Sequence, residues 1–169
     1  MSRYYVGIGS NLGDRLASLR CAAAELAALP KVSLGRRSGV WETRPLGPGT
    51  GPFLNAAVEL HVHDAAPLWL LEQLLAIERR HGRLRRERWG DRTLDLDLLC
   101  GFADDGSELT LDIPGLTLPH PELGARDFAL RPLVDIDPSL RVGGQTCVDR
   151  LNALADADRT LLRRLDESL

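Results

Sequence analysis

The stretch from Phe53 to Val62 constrains the fold of this chain more than any other, because its apolar side chains recur at every second position. Leu54, Ala56, Val58, Leu60 and Val62 fall on one side, while Phe53, Asn55, Ala57, Glu59 and His61 fall on the other. A period of two belongs to a strand, whose successive side chains point to opposite faces. The pattern returns at Leu94, Leu96 and Leu98, which alternate with Asp95 and Asp97. Strands that bury one face require a sheet whose buried face is covered by another layer.

The remaining elements follow from local signals. Tyr4 to Ser10 reads as a first strand, and Asn11-Leu12-Gly13-Asp14 as a turn capping a helix with Leu16, Leu19, Ala23 and Leu26 on one side and Pro30 as its stop. Val32 to Trp41 reads as a second strand. Thr43 to Pro52 holds three glycines and three prolines in ten residues, an irregular loop of the kind that often serves as a lid. Asp64 and Pro67 start a second helix whose expected buried side is Leu68, Leu71, Leu75 and Ile77, ending at Gly82. After the aspartate strand come a turn at Ala103 to Gly106, a short strand from Glu108 to Leu111, and an extended Leu116 to Pro121. A helix is expected from Glu122 to Val134, another after Thr146, and a last helix ending at Leu169. The order is strand, helix, strand, strand, helix, strand. That is the split β-α-β pattern of an α+β, ferredoxin-like sandwich with an antiparallel sheet, helices packed on one face and a small C-terminal supplement. At 169 residues, 1–169 is expected to be a single domain.

The chemistry concentrates between Arg79 and Asp97. Seven arginines occupy the fourteen residues 79–92, and the aspartate pair follows without a linker. Side chains two apart on a strand share a face and lie roughly 6.6 Å apart, so Asp95 and Asp97 can reach one ion or two bridged ions. Hard carboxylate oxygens suit Mg²⁺, which commonly takes one or two carboxylates together with substrate phosphates. Guanidinium groups upstream suit the rest of the phosphate charge. The net charge is only −3, so no global basic field recruits nucleic acid or an acidic membrane, and the local basic run points to a small anionic ligand. Twenty of the 21 basic residues are arginine, with Lys31 the one lysine, so arginine carries information only where it clusters. Phe53 and Asn55 place an aromatic plate beside an amide, which can serve a flat heterocycle or merely cap a core edge. Gly7, Gly9 and Gly13 match neither G-x-G-x-x-G nor the P-loop pattern. Cys21, Cys100 and Cys147 are too few and too widely spaced for a metal knuckle or disulfide framework. Without a signal-peptide pattern or a long apolar run, a cytoplasmic protein is expected.

Four motifs, in order, carry a resemblance: Gly9-Ser10-Asn11-Leu12-Gly13-Asp14, Phe53-Leu54-Asn55-Ala56-Ala57-Val58, Arg88-Trp89-Gly90-Asp91-Arg92-Thr93-Leu94-Asp95-Leu96-Asp97 and Leu118-Pro119-His120-Pro121. Together they resemble the 6-hydroxymethyl-7,8-dihydropterin pyrophosphokinases, over Tyr4 to about Pro138. The resemblance implies transfer of the terminal diphosphate of ATP to the pterin hydroxymethyl group, with release of AMP, in folate biosynthesis. It implies two Mg²⁺ on Asp95 and Asp97, with Arg83 and Arg92 stabilising developing charge. It implies ATP contacts from Glu78, Arg85, Trp89, Arg92, Leu98, Thr117, His120 and Arg126. The pterin would be held by Phe53 and Phe128 on its faces and by Asn55, Thr43 and Leu46 along its edge. The expected partners are these small molecules, with no nucleic acid and no membrane, and the expected state is a monomer. Departures from the family pattern fall on loops, as at Asp91, where proline is usual. Three other readings stand beside this one: a paralogue acting on a related pterin, a non-catalytic nucleotide- or RNA-binding module, and a metal-dependent nucleotidyltransferase. The last would need its Gly-Ser close to the aspartates, and here some 85 residues separate Ser10 from Asp95.

Overall fold

The computed structural model describes residues 1–45, 51–82 and 93–169. Its first strand, β1 (Ser2–Ser10), runs antiparallel to β4 (Phe53–Val62) on one side and β5 (Asp95–Phe102) on the other. Between them in sequence lie α1 (Arg15–Ala27), β2 (Val32–Arg37), β3 (Gly39–Thr43) and α2 (Pro67–Arg80). The chain continues through a hairpin of β6 (Leu111–Ile113) and β7 (Leu116–Leu118), helix α3 (Asp127–Ile136), and a two-residue pair β8 (Arg141–Val142) and β9 (Gln145–Thr146). It ends with α4 (Cys147–Ala153) and β10 (Leu161–Ser168). The main sheet has the order β10-β3-β4-β1-β5, with β2 also paired to β4. The result is an α+β fold on an antiparallel sheet.

Local chemistry explains the expected elements that formed. Asp14 caps α1 by accepting from the Ala17 N–H at 3.0 Å, after Gly13 turns at φ +66°. The alternation from Phe53 to Val62 becomes β4 with the anticipated ends. The stretch read as one strand from Val32 to Trp41 is two, because Ser38 interrupts the ladder. Its hydroxyl accepts the Ala57 N–H at 2.8 Å, while its own N–H donates to the Ala57 carbonyl at 2.9 Å.

Three expectations are corrected. Helices cover both faces of the sheet rather than one. Leu19, Ala22 and Leu26 of α1 and Leu70, Leu74 and Ile77 of α2 pack on Tyr4, Val6, Ile8, Val58 and Leu60. On the opposite face Leu130 and Leu133 of α3 and Cys147 and Leu151 of α4 pack on Tyr5, Ala57, Leu99 and Phe102. Secondly, α2 is rotated from the expected register: its buried residues are Leu70, Leu74, Ile77 and Glu78, and Leu68 is exposed. Leucines lie all around that helix, so their spacing selects no single face. Thirdly, the C-terminal segment is the strand β10, paired to β3 at the sheet edge through Leu161 with Thr43 and Arg164 with Trp41.

Candidate active site

The face of the sheet turned toward α3 gathers the chemistry at one end. In the ladder β4-β1-β5, Gly9 sits between Asn55 and Asp95, and Gly7 between Ala57 and Asp97. Period two therefore puts Asn55, Asp95 and Asp97 on one surface, separated only by glycines. Gly9 is needed there: a Cβ on it would come within 2.8 Å of Asn55 Oδ1 and 3.8 Å of the Phe53 ring, whereas one on Gly7 would meet nothing nearer than Leu99 at 3.4 Å. Bare backbone thus lies between the two aspartates of β5 on one side and Asn55 and Ala57 of β4 on the other, where a ligand can approach closely. No glycine fingerprint predicted this, because the signal lies in strand register rather than in glycine spacing.

The aspartate strand is anchored from beneath. Glu78, on the buried face of α2, accepts the backbone N–H of Leu96 at 2.8 Å, at the residue between the two aspartates. A nearly inaccessible carboxylate bound to that backbone holds the level at which Asp95 and Asp97 project. Glu78 therefore acts on the Asp95–Asp97 strand itself. Leu98 faces the α1–α2 core and is 4% exposed, so its side chain does not reach the site.

Beyond Asp97 the surface is completed by residues before and within α3. Arg126 lies with Nη1 3.6 Å from Asp97 Oδ2, also pairs with Glu122, and stands 5.6 Å over the ring of Phe128. His120 is tied to β5 through its N–H to the Leu99 carbonyl at 2.7 Å. Burial first, and the Arg126 guanidinium second, hold its imidazole below the usual range against the opposing pull of Glu122 and Asp95. Near neutral pH the ring is uncharged. Its Nδ1 accepts from the Glu122 N–H at 3.2 Å, which leaves the proton on Nε2. On the far side Asn55 Nδ2 donates to Thr43 Oγ1 at 2.7 Å, and both residues are buried. Thr117 is exposed on the β6–β7 hairpin and donates to Asp112 at 3.1 Å.

The structure thus brings Asp95, Asp97, Asn55, Thr43, Phe53, Phe128, His120 and Arg126 to one face and places Glu78 directly under it. Leu46, Arg83, Arg85, Trp89 and Arg92 lie outside the described residues. Elsewhere among the described residues, Cys21, Glu25 and His81 offer ligand atoms within 4.8 Å of one another. Arg80 and His81 already engage both oxygens of that glutamate, making the group a brace between α1 and α2. No described helix is long and apolar enough to cross a membrane.

Hard oxygens beside a glycine floor, an aromatic–amide wall and a cation opposite form a surface suited to a flat ligand together with a charged one. Comparison with known proteins identifies the family. A relative from Methylorubrum extorquens, a 2-amino-4-hydroxy-6-hydroxymethyldihydropteridine pyrophosphokinase, is 40% identical over 98% of this chain and all of its own length. Its namesake from Pseudomonas aeruginosa is 41% identical over 84% of this chain and 85% of its own. A crystal structure of an HPPK-DHPS protein in complex with substrates matches with a TM-score of 0.64 at 13% identity, which speaks for the fold alone. That match covers 90% of this chain and 43% of the larger one. The sequence model of the 7,8-dihydro-6-hydroxymethylpterin-pyrophosphokinases (HPPK) spans residues 5–138, from within β1 past the end of α3, and so takes in every side chain of this surface: the chain belongs to that family.

Proposed function

We propose that this protein transfers the terminal diphosphate of ATP to the hydroxymethyl oxygen of 6-hydroxymethyl-7,8-dihydropterin, yielding the pterin diphosphate and AMP in folate biosynthesis. The observation that carries the reading is the shared face of Asn55, Gly9, Gly7, Asp95 and Asp97, with family membership behind it. The hydroxyl oxygen attacks the β-phosphorus in line, the bond from that phosphorus to the α-phosphate oxygen breaks, and the hydroxyl proton is lost to solvent. Such a transfer asks the protein mainly for positioning and charge neutralisation.

Asp95 and Asp97 are the residues to hold Mg²⁺, two ions in this reading. The fit rests on two carboxylates on one strand face, beside Gly7 and Gly9, which carry no side chains of their own. The ions, when bound, supply neutralisation of the phosphate charge. Neutral His120 donates Nε2–H to a phosphate oxygen, and Arg126 faces the same charge. Thr43 orients the Asn55 amide against the pterin edge, with Phe53 and Phe128 on the ring faces. Glu78 and Leu98 contribute through the strand they hold. Thr117 borders the nucleotide from the hairpin. Arg83, Arg85, Trp89, Arg92 and Leu46 complete the expected contacts.

The strand order β3-β4-β1-β5, with α1 and α2 as crossovers, supports a ferredoxin-like description. The same reading takes residues 1–169 as one domain working as a cytoplasmic monomer on small molecules, without nucleic acid. A net charge of −3 and a basic run confined to 79–92 favour that choice.

The test is AMP formation from ATP, Mg²⁺ and the reduced hydroxymethyl pterin. Asp95→Ala and Asp97→Ala are each expected to reduce turnover by at least about a thousandfold, given what charge clamps contribute to phosphoryl transfer. Their circular dichroism should match that of the parent, since neither side chain is in the core. Full turnover in either variant at saturating Mg²⁺ would remove the metal assignment. Inorganic pyrophosphate as product in place of AMP would indicate nucleotidyl transfer instead.

A further inference from the structure

The C-terminal segment beyond the family-matched region 5–138 is linked directly to the surface assigned to the pterin. Asp127, the first residue of α3, lies between Arg126 and Phe128 and is completely buried. Its Oδ2 accepts the Thr160 N–H at 2.5 Å and the Leu161 N–H at 2.9 Å, and its Oδ1 accepts the Thr160 hydroxyl at 2.5 Å. A carboxylate in such a place is stable only because donors surround it. All three donors come from residues 160 and 161.

The same two residues hold the other wall. The Thr160 carbonyl accepts the Arg44 N–H at 2.8 Å, Leu161 pairs with Thr43 in the β10–β3 ladder, and Arg44 also donates to the Arg159 carbonyl. Thr43 in turn holds Asn55. A continuous chain of covalent and hydrogen-bonded links therefore runs from Phe128 through Asp127, Thr160, Leu161 and Thr43 to Asn55. One end carries an aromatic face and the other the amide edge.

We propose that Asp127 and Thr160 are positioning residues for the pterin: the C-terminal strand acts as a latch setting the separation between the start of α3 and the end of β3. The proposal rests on the pterin assignment above. Asp127 adjoins Arg126, which pairs with Asp97, as well as Phe128, but the other arm of the latch, through Thr43 to Asn55, reaches the pterin edge alone, so the larger effect falls on the pterin rather than on the nucleotide.

The experiment compares Thr160→Val, Thr160→Ser and Asp127→Asn with the parent in steady-state kinetics, alongside calorimetric titration with the hydroxymethyl pterin in the presence of a non-hydrolysable ATP analogue. Thr160→Val and Asp127→Asn are expected to raise pterin KM and Kd about tenfold, the effect of losing one hydrogen bond to a charged group. ATP KM should stay within about twofold, and Thr160→Ser, which keeps the hydroxyl, should restore pterin affinity. Asp127→Asn places an amide against three donors; if it does not fold, Thr160→Val decides. Unchanged pterin affinity, or an equal loss for both substrates, overturns the proposal. Failure of the parent to release AMP strikes the functional reading instead, and the titration still reports on the latch, with no pterin binding by the parent counting against it.

Discussion

Gly9 shows how much a single side chain, or its lack, decides here. It lies between Asn55 on one neighbour and Asp95 on the other, and a methyl group would meet Asn55 Oδ1 at 2.8 Å. An amide that moves aside is drawn from its 2.7 Å bond to Thr43. Gly9→Ala is therefore expected to raise pterin KM about tenfold, the worth of one buried hydrogen bond left unmade. Gly7→Ala brings its methyl no nearer than 3.4 Å, to Leu99, and should leave pterin KM within about twofold by that reasoning. Parallel kinetics of the two variants check the floor directly: equal penalties would mean that Asn55 is not what the Gly9 backbone accommodates. Both glycines stand in the sequence in full view. Their purpose was not legible there, because neighbours across a ladder lie about fifty and ninety residues away and depend on register.

Among the elements, the helix pair α1–α2 carries its own electrostatic brace. Glu25 receives two bonds from Arg80, at 2.6 and 2.9 Å, and one contact from His81 at 2.5 Å. Burial pulls its carboxyl upward, but the bonds from Arg80 and His81 outweigh this and hold it below its ordinary 4.5. With the folded value lowered, the unfolded chain binds the proton more readily. The brace therefore stabilises fully above about pH 4.5, and its contribution disappears as pH falls through the lowered value. Glu25→Gln should lower the urea midpoint at pH 7 and narrow the gap to the parent toward pH 3; a gap independent of pH would refute the linkage. The elements also show what periodicity can support. β4 and the Asp95–Asp97 strand were legible because a period of two is a local property and both strands have one polar side. The buried side of α2 was not legible, since its leucines surround the axis and a glutamate, Glu78, sits inward to serve β5.

At the scale of the whole molecule the sheet is the partition between two cores. Leu74, from α2, and Leu130, from α3, are each fully buried in different clusters. Either one changed to alanine is expected to cost about 2–5 kcal/mol of stability, from lost burial and the residual cavity. The double variant should equal the sum within about 0.5 kcal/mol, as for sites without shared partners. Denaturant unfolding of the three variants measures this, and strong non-additivity would mean that the two layers are mechanically coupled through the sheet. The two-layered covering also bears on function. Helices α1 and α2 support the sheet from behind, while α3 on the opposite face brings Arg126 and Phe128 to the same surface as the aspartates.

What the sequence determined by itself is therefore local: the alternation of β4, the common face of Asp95 and Asp97, the Asp14 cap, and four motifs specific enough to name a family. Each depends on spacing within a few residues, and chain geometry converts such spacing into direction without help from distant partners. The tertiary structure alone decided that the tail from Leu161 to Ser168 is a strand, that helices cover both faces, and that Glu78 works from beneath. It also decided that Asp127 closes on Thr160 across 33 residues. These are outcomes of pairing. An edge strand exists only where β3 offers unpaired backbone, and a buried carboxylate is tolerated only where folding has already delivered its donors.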